Sequence, residues 1–171
     1  MYDPYRLIAT KNYRVGQLVP NHQHPRHNTA VILKYISMII VAIHGGLGNQ
    51  IFQYAFGYSL HKRKNTPLLL DTSLYSEINT HNGFELAHVF SIGTQIASYE
   101  EIRDIIGWRA TSLGRLMMAR KSFDILQGRR YFNERTFSFD DAVYSLPVNS
   151  YYDGYWQSDR YFFNHENEIR N

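Results

Sequence analysis

The sequence contains no cysteine among its 171 residues. Disulfide bonds and cysteine-ligated metal sites are therefore excluded, and the composition fits a reducing compartment. Proline is scarce as well, with five residues, and runs of low complexity are lacking. Hydrophobic residues make up 44% of the chain and aromatic residues 15%, which is material for about one domain with a buried core. We therefore expect a soluble globular protein.

Long hydrophobic runs are also missing. The most apolar stretch, Val31 to Ile43, spans 13 residues and includes Lys34, whereas a membrane-spanning helix needs about 20 apolar residues. The stretch also lacks the basic region and the small-residue cleavage site of a secretory signal. We predict no transmembrane span and expect a cytoplasmic protein, and a peripheral position at a membrane stays open.

Excess positive charge is confined to one part of the chain. Residues 1–37 carry five basic and one acidic side chain, whereas residues 38–171 carry 13 basic and 14 acidic ones. The part with clear structural patterns is therefore close to neutral, which argues against a nucleic-acid-binding surface. Residues 1–37 also hold three of the five prolines, and we predict that they form a poorly ordered N-terminal extension.

The sequence also lacks a convincing metal site. His22, His24 and His27 lie close together in the extension, but Pro25 interrupts them and no carboxylate is nearby. Metal sites in proteins usually combine such histidines with further ligands in a fixed geometry. We therefore predict no bound metal.

A strand, a glycine loop and a helix follow one another near the centre of the chain. The apolar run Ile39 to Ile43 leads into Gly45, Gly46 and Gly48, and an amphipathic helical pattern follows from Gln50 to Lys64. Such a loop brings backbone N–H groups and a helix N-terminus to one place, where anions bind. A glycine-lined turn that only joins the two elements is an open alternative.

Two common nucleotide-binding motifs are incomplete or missing at this loop. The dinucleotide pattern G-x-G-x-x-G requires a glycine where Ile51 stands, and the P-loop pattern does not occur. This disfavours a dinucleotide-dependent oxidoreductase.

The loop belongs to a predicted βαβ unit, because an apolar segment, Leu68 to Asp71, follows the helix after Asn65 and Pro67. Strands joined in this way are parallel, and ligands bind beyond their carboxyl ends. Asp71 ends the second strand, where its carboxylate can accept a ligand hydroxyl or cap a turn. Both roles stay open.

Further elements are predicted along the rest of the chain. Ser98 and Glu101 form a capping box that begins a helix from Tyr99 to Ile106. We interpret the basic segment 107–130 as a solvated, charged face in preference to a phosphate site. The other predicted elements are helices over Ser112 to Lys121 and Asp140 to Leu146, a β-prone segment from Ser150 to Trp156, and a last helix opened by Ser158 and Asp159.

Two sequence blocks resemble a known family. Residues 45–55, GGLGNQIFQYA, resemble the opening block of the family-11 glycosyltransferases, the alpha-1,2-fucosyltransferases. Residues 153–162, DGYWQSDRYF, resemble a second block of that family, and a weaker match covers residues 84–92. The resemblance extends over residues 38–171 and covers only the N-terminal half of the family.

The resemblance implies a fold and a reaction. The fold is an α/β, Rossmann-like N-terminal domain of a GT-B glycosyltransferase, in which residues 38–171 form the acceptor-side domain. The reaction is inverting transfer of fucose from GDP-fucose to a galactoside hydroxyl, with no metal and no further cofactor. Its implied partners are GDP-fucose and a galactose-terminated glycan, with no nucleic acid, and self-association stays open.

One family motif is missing from the sequence. The phosphate-binding block H-x-R-R-G-D does not occur before the last residue, Asn171. We therefore expect a truncated enzyme without the C-terminal donor-binding domain, inactive by itself. The alternative is a non-catalytic carbohydrate-binding or partner-binding remnant of the same fold.

The resemblance also implies site residues. The donor-binding loop would consist of Gly45, Gly46, Gly48, Asn49 and Gln50. Asn49 would hydrogen-bond the donor or, equally well, cap the helix. The acceptor side of the cleft would contain Asp71, Tyr155, Trp156 and Gln157, although core packing is the favoured role for Trp156. The catalytic base stays unassigned, because the family does not fix a histidine at the position of His44.

Overall fold

The computed structural model describes residues 37–77, 82–90, 92–93, 95–118 and 129–170. Within these residues five strands form one parallel sheet in the order β3-β2-β1-β5-β4. The strands are β1 (Ile39–Ala42), β2 (Leu68–Asp71), β3 (Gln95–Ile96), β4 (Tyr131–Asn133) and β5 (Ser150–Asp153). Except for residue 37, the extension predicted for residues 1–37 lies outside the described residues.

Helices flank this sheet. The α-helices are α1 (Leu47–Lys64), α2 (Leu74–Glu77), α3 (Leu86–Phe90), α4 (Tyr99–Ile106), α5 (Ser112–Met118) and α6 (Glu166–Arg170). Short 3-10 helices cover Gly107–Ala110, Asp141–Ser145, Asp159–Tyr161 and Phe163–His165. No described helix combines the length and hydropathy needed to cross a bilayer.

Helix α4 confirms its prediction, because Ser98 and Glu101 form both hydrogen bonds of the capping box. Helix α1 begins at Leu47, three residues before the predicted start at Gln50. The carbonyl of Gly46 accepts hydrogen bonds from the backbone N–H groups of Asn49 and Gln50. The glycine loop is therefore shorter than expected, and its last residues form the first helical turn.

The C-terminal elements differ more from expectation. Strand β5 ends at Asp153, three residues before the end of the predicted β-prone segment, and Trp156 at that end adopts a positive φ of 56° that a strand does not contain. The predicted last helix is divided at Phe162, whose φ of −133° is not helical. The predicted helix over Asp140 to Leu146 is a 3-10 helix capped by Asp140. For the helix over Ser112 to Lys121, the residues after Met118 lie outside the described part.

The sheet is buried on both faces. Alternate residues of β1 point to opposite sides, with Ile39, Val41 and Ile43 in one hydrophobic cluster and Ile40 and Ala42 in another. The first cluster includes Phe56 and Leu60 of α1, and the second includes Ile102 and Ile106 of α4. Helices on both faces of a parallel sheet confirm the predicted α/β, Rossmann-like arrangement.

The strand order changes direction beside β1. The chain runs from β1 to β2 and β3 on one side, then passes to β4 at the opposite edge and returns to β5, which pairs with β1. In sheets of this kind, ligands bind at the carboxyl ends of the strands where the order reverses. The segments that follow β1 and β5 are therefore the candidate site.

Candidate functional site

The loop after β1 is held in a conformation that favours glycine. Gly45 has φ of +79°, and a Cβ there would lie 2.6 Å from the side-chain nitrogen of Asn49. Gly46 precedes the helix with no side-chain cap, so the first N–H groups of α1 remain directed at the loop. Gly48 is exposed, and a Cβ there would contact nothing within 4 Å. The glycine at position 48 therefore leaves open space at the helix N-terminus.

Gln50, a predicted donor-binding residue, lies under this loop. Its Nε2 donates to the carbonyls of Gly45 and Gly83, at 3.1 and 2.9 Å, and its Oε1 accepts from the N–H of Glu85 at 2.9 Å. The side chain is fully buried. Tyr75 also donates to the Gly45 carbonyl at 2.6 Å, and burial raises the pKa of this phenol to about 12. Gln50 thus shapes the loop through internal bonds.

Gln53 makes a similar connection that the sequence analysis missed. Its Oε1 accepts from the N–H of His44 at 3.1 Å, and its Nε2 donates to the carbonyl of Gly154 at 3.0 Å. The side chain is fully buried. Gln53 therefore joins the segment after β1 to the segment after β5. The sequence signal for this role is a glutamine on the buried face of the amphipathic helix α1.

Asn49 lies at the opening of the candidate site. The alternative that it caps α1 is wrong, because Gly46 occupies the cap position and Asn49 lies inside the helix. Its Oδ1 accepts a hydrogen bond of 2.7 Å from Nε2 of Gln157, across 108 residues of chain. The structure thus brings a predicted donor-side residue and a predicted acceptor-side residue into direct contact.

An unpredicted pair, His44 and Asp153, lies where β1 and β5 end. The His44 Nε2 and the Asp153 Oδ1 are 3.3 Å apart, and the two side chains are 20% and 31% exposed. The other oxygen of Asp153 accepts from the hydroxyl of Tyr131 at 2.8 Å. The ring of Tyr155, a predicted cleft residue, packs edge-to-face on His44 with centroids 4.8 Å apart.

Asp71, a predicted cleft residue, is only 1% exposed and bonded internally. Its Oδ1 accepts from the hydroxyl and N–H of Ser73, and its Oδ2 accepts from Arg115 at 2.9 Å and from Tyr151 at 2.7 Å. Burial opposes ionisation of Asp71, but Arg115 and these hydrogen bonds together hold its pKa below the usual range. Asp71 therefore remains an anion whose oxygens are already bonded.

Arg115 is an exception to the interpretation of the basic segment as a solvated face, whereas Arg129 and Arg130 are exposed as expected. The side chain of Arg115 is 13% exposed, and it also bonds the carbonyl of Ala110 and the hydroxyl of Tyr151. The rings of Tyr131 and Tyr151 stack with centroids 5.6 Å apart. Two polar groups, Arg115 with Tyr151 and Tyr131 with Asp153 and His44, therefore lie along the carboxyl edge and are joined by the stacked tyrosine rings.

Trp156, also predicted to line the cleft, is fully buried. Its indole stacks on Phe56 with centroids 4.0 Å apart and an interplanar angle of 12°. A carboxylate oxygen of Glu134 accepts from the backbone N–H groups of Tyr155 and Trp156, at 2.7 and 2.9 Å. This burial favours the core role for Trp156 and leaves Tyr155 and Gln157 as the more accessible predicted residues.

A separate cleft of about 320 Å³ opens on the β2 and β3 side of the same edge. Its lining includes the side chains of Ser73, Tyr99, Thr111 and Arg115.

No cluster of three or more histidine, aspartate or glutamate side chains suited to a metal occurs in the described ranges. The histidines of the N-terminal extension, His22, His24 and His27, lie outside those ranges.

One known protein is similar to much of the chain. An alpha-1,2-colitosyltransferase of Escherichia coli is 29% identical over 138 residues, which are 79% of this chain and 44% of the relative. The chain thus spans less than half the length of that relative. No protein-family model matches the chain, and no solved structure matches it.

Proposed function

We propose that residues 38–171 form the acceptor-side domain of an inverting glycosyltransferase of the GT-B type. The proposed reaction is that of an alpha-1,2-fucosyltransferase, which transfers fucose from GDP-fucose to a hydroxyl of a galactoside. The observation that carries the proposal is the 2.7 Å hydrogen bond between Asn49 and Gln157. It joins the two blocks that resemble the family at the edge of the sheet where ligands bind.

The chemistry of the edge fits the two substrates. Transfer separates a positively charged sugar centre from a diphosphate, so the site must stabilise negative charge on the donor side. The N-terminus of α1 and the open space at Gly48 offer N–H groups and room for a phosphate. Asn49, Tyr155 and Gln157 offer amide and aromatic groups for sugar hydroxyls and ring faces.

A second donor is favoured by the comparison. The relative is named an alpha-1,2-colitosyltransferase, so a colitosyl donor is the second candidate for the same site. The two candidates share the acceptor side and differ only in the transferred sugar.

Calorimetry on the full chain tests the proposal. The protein is titrated with a β-galactoside, with GDP-fucose and with the colitosyl nucleotide, and mixtures of donor and acceptor are then analysed for product by mass spectrometry. We expect saturable binding of the galactoside. Product formation supports the enzyme and identifies the donor, whereas galactoside binding alone supports the non-catalytic remnant.

Matched glutamine variants locate the binding. Q157A removes the amide that contacts Asn49 and should weaken galactoside binding, because one amide is lost and the Asn49 amide loses the partner that fixes its position. Q95A removes an exposed glutamine from β3 and should leave binding unchanged. Absence of galactoside binding by the wild-type chain, or equal binding by both variants, contradicts the proposal.

A further inference from the structure

We propose that His44 is the general base that removes the proton from the accepting hydroxyl of the galactoside, with Asp153 as its positioning residue. This inference rests on the proposed function. It assigns the one chemical role that the sequence left without a residue, because an inverting transfer needs a group that takes this proton.

The imidazole of His44 faces a carboxylate with one of its two nitrogens. His44 Nε2 faces Asp153 Oδ1 at 3.3 Å, and a carboxylate there favours the form with the proton on Nε2. The lone pair is then on Nδ1, which makes no hydrogen bond to the part of the chain that the structure describes. The ring is partly exposed, at 20%. Nδ1 is therefore the available acceptor.

The ring of His44 is fixed from three directions. The backbone N–H of His44 is bonded to the buried amide of Gln53. The edge-to-face contact with Tyr155 limits rotation of the ring. Asp153 is itself fixed by the hydroxyl of Tyr131. Such fixed orientation is what a proton acceptor requires when it acts on a bound substrate.

Two other carboxylates of the edge, Asp71 and Glu134, are already bonded within the protein. Asp71 is 1% exposed, and its oxygens are bonded to Ser73, Arg115 and Tyr151. Glu134 uses one oxygen for two backbone N–H groups, and its other oxygen is buried. The oxygens of these two carboxylates are bonded or buried, whereas the partly exposed ring of His44 lies beside the glycine loop with no hydrogen bond from Nδ1 to the described residues.

The step balances as follows for a nucleotide diphosphate sugar as donor. The O–H bond of the galactoside hydroxyl breaks, and its proton passes to Nδ1 of His44. The hydroxyl oxygen forms a bond to the anomeric carbon from the face opposite the diphosphate. The bond between that carbon and the phosphate oxygen breaks, and its electron pair leaves with the nucleotide. The resulting imidazolium is stabilised by Asp153.

Nitrogen-15 NMR of the histidine rings tests the inference on the full chain. The chain has eight histidines, and the set of ring signals that disappears in H44Q belongs to His44. H88Q is the matched control, because His88 is an exposed histidine of α3. For the neutral form of His44 we expect the proton on Nε2. A β-galactoside should shift the Nδ1 resonance, and its 2-deoxy analogue, which lacks the accepting hydroxyl, should bind and leave Nδ1 unshifted. D153N should move proton density from Nε2 to Nδ1.

The outcomes separate the inference from the function on which it rests. Galactoside binding with an unshifted Nδ1, or an equal shift with the 2-deoxy analogue, overturns the inference and leaves the proposed function standing. Failure of the galactoside to bind overturns both. Where product forms, H44Q should lower kcat by about 10²–10⁴-fold with a smaller change in the acceptor KM. An unchanged kcat in H44Q overturns the assignment.

Discussion

At the scale of single residues, Asp71 and Arg115 form an ion pair that is almost fully removed from solvent. Their side chains are 1% and 13% exposed, and the nitrogen and oxygen are 2.9 Å apart. The electrostatic attraction between the two buried charges offsets the cost of removing both from water. If one partner is removed, the other remains as a buried charge without compensation. Asp71 also accepts hydrogen bonds from Ser73 and Tyr151. The ion pair joins β2 to α5, and the bond from Tyr151 joins β2 to β5.

R115M tests the energetic role of this pair. The methionine preserves much of the side-chain volume but leaves the charge of Asp71 buried and unpaired. We expect the free energy of unfolding to fall by about 3–5 kcal/mol, measured by urea denaturation. R170M is the matched control, because Arg170 pairs with Glu166 at the exposed end of the chain, and it should change stability little. Equal losses in both variants would contradict the account.

The pair also predicts a dependence of stability on pH. The pKa of Asp71 is lower in the folded protein than in the unfolded chain, so its contribution is present above the unfolded pKa of about 3.9 and is lost as pH falls further. The pKa of Glu168 is lowered to about 2, first by its hydrogen bond with Lys62, but Glu168 is exposed and solvent screening makes its contribution to stability small. Wild type should therefore lose stability below about pH 4, mainly through Asp71. R115M lacks the cation that lowers the pKa of Asp71, so thermal unfolding should show a shallower loss in R115M, and parallel curves would contradict this.

At the scale of elements, the glycine loop and α1 contain glycines with different roles. Gly45 has a positive φ and a close contact with Asn49, so G45A should cost at least about 1–2 kcal/mol for the left-handed conformation. Gly48 has a helical conformation and open surroundings, so G48A should not reduce stability. We expect G48A instead to weaken binding of the nucleotide sugar. Calorimetry and urea denaturation of the two variants check both expectations, and a large stability loss in G48A would contradict them.

Gln53 connects the segments after β1 and β5, and its removal should affect both stability and binding. Q53L leaves the N–H of His44 and the carbonyl of Gly154 buried without partners, at a cost of about 1–3 kcal/mol each. Because both segments border the site, galactoside binding should weaken as well. Q95L, at an exposed position, is the control. Unchanged galactoside affinity in a folded Q53L would show that the two segments do not depend on this amide.

The sequence predicted elements whose signals are local. The capping box of α4 and the strand-loop-helix pattern at Gly45 depend on neighbouring residues, and the structure confirms them. The pairing of Asp71 with Arg115 and Tyr151 joins positions 44 and 80 residues apart. Such pairing depends on strand order and on which helix face is buried, neither of which a local pattern fixes. The contact between His44 and Asp153 was not predicted, because it also depends on the strand order.

At the scale of the whole molecule, the two sequence blocks become neighbours because β1 and β5 pair in parallel. The pairing places His44 to Asn49 and Asp153 to Gln157 at one edge of the sheet. The buried glutamines of α1 hold these segments through hydrogen bonds. The two blocks, which are distant in the chain, therefore form one edge of the sheet together.

The most direct measurement of the central claim is a backbone amide NMR titration of the full chain with a β-galactoside. We predict that the largest shift changes fall on residues 44–49 and 153–157, at the paired ends of β1 and β5. Changes centred on the cleft beside Ser73 and Thr111, or no saturable change at all, would contradict the claim that this edge is the sugar-binding site.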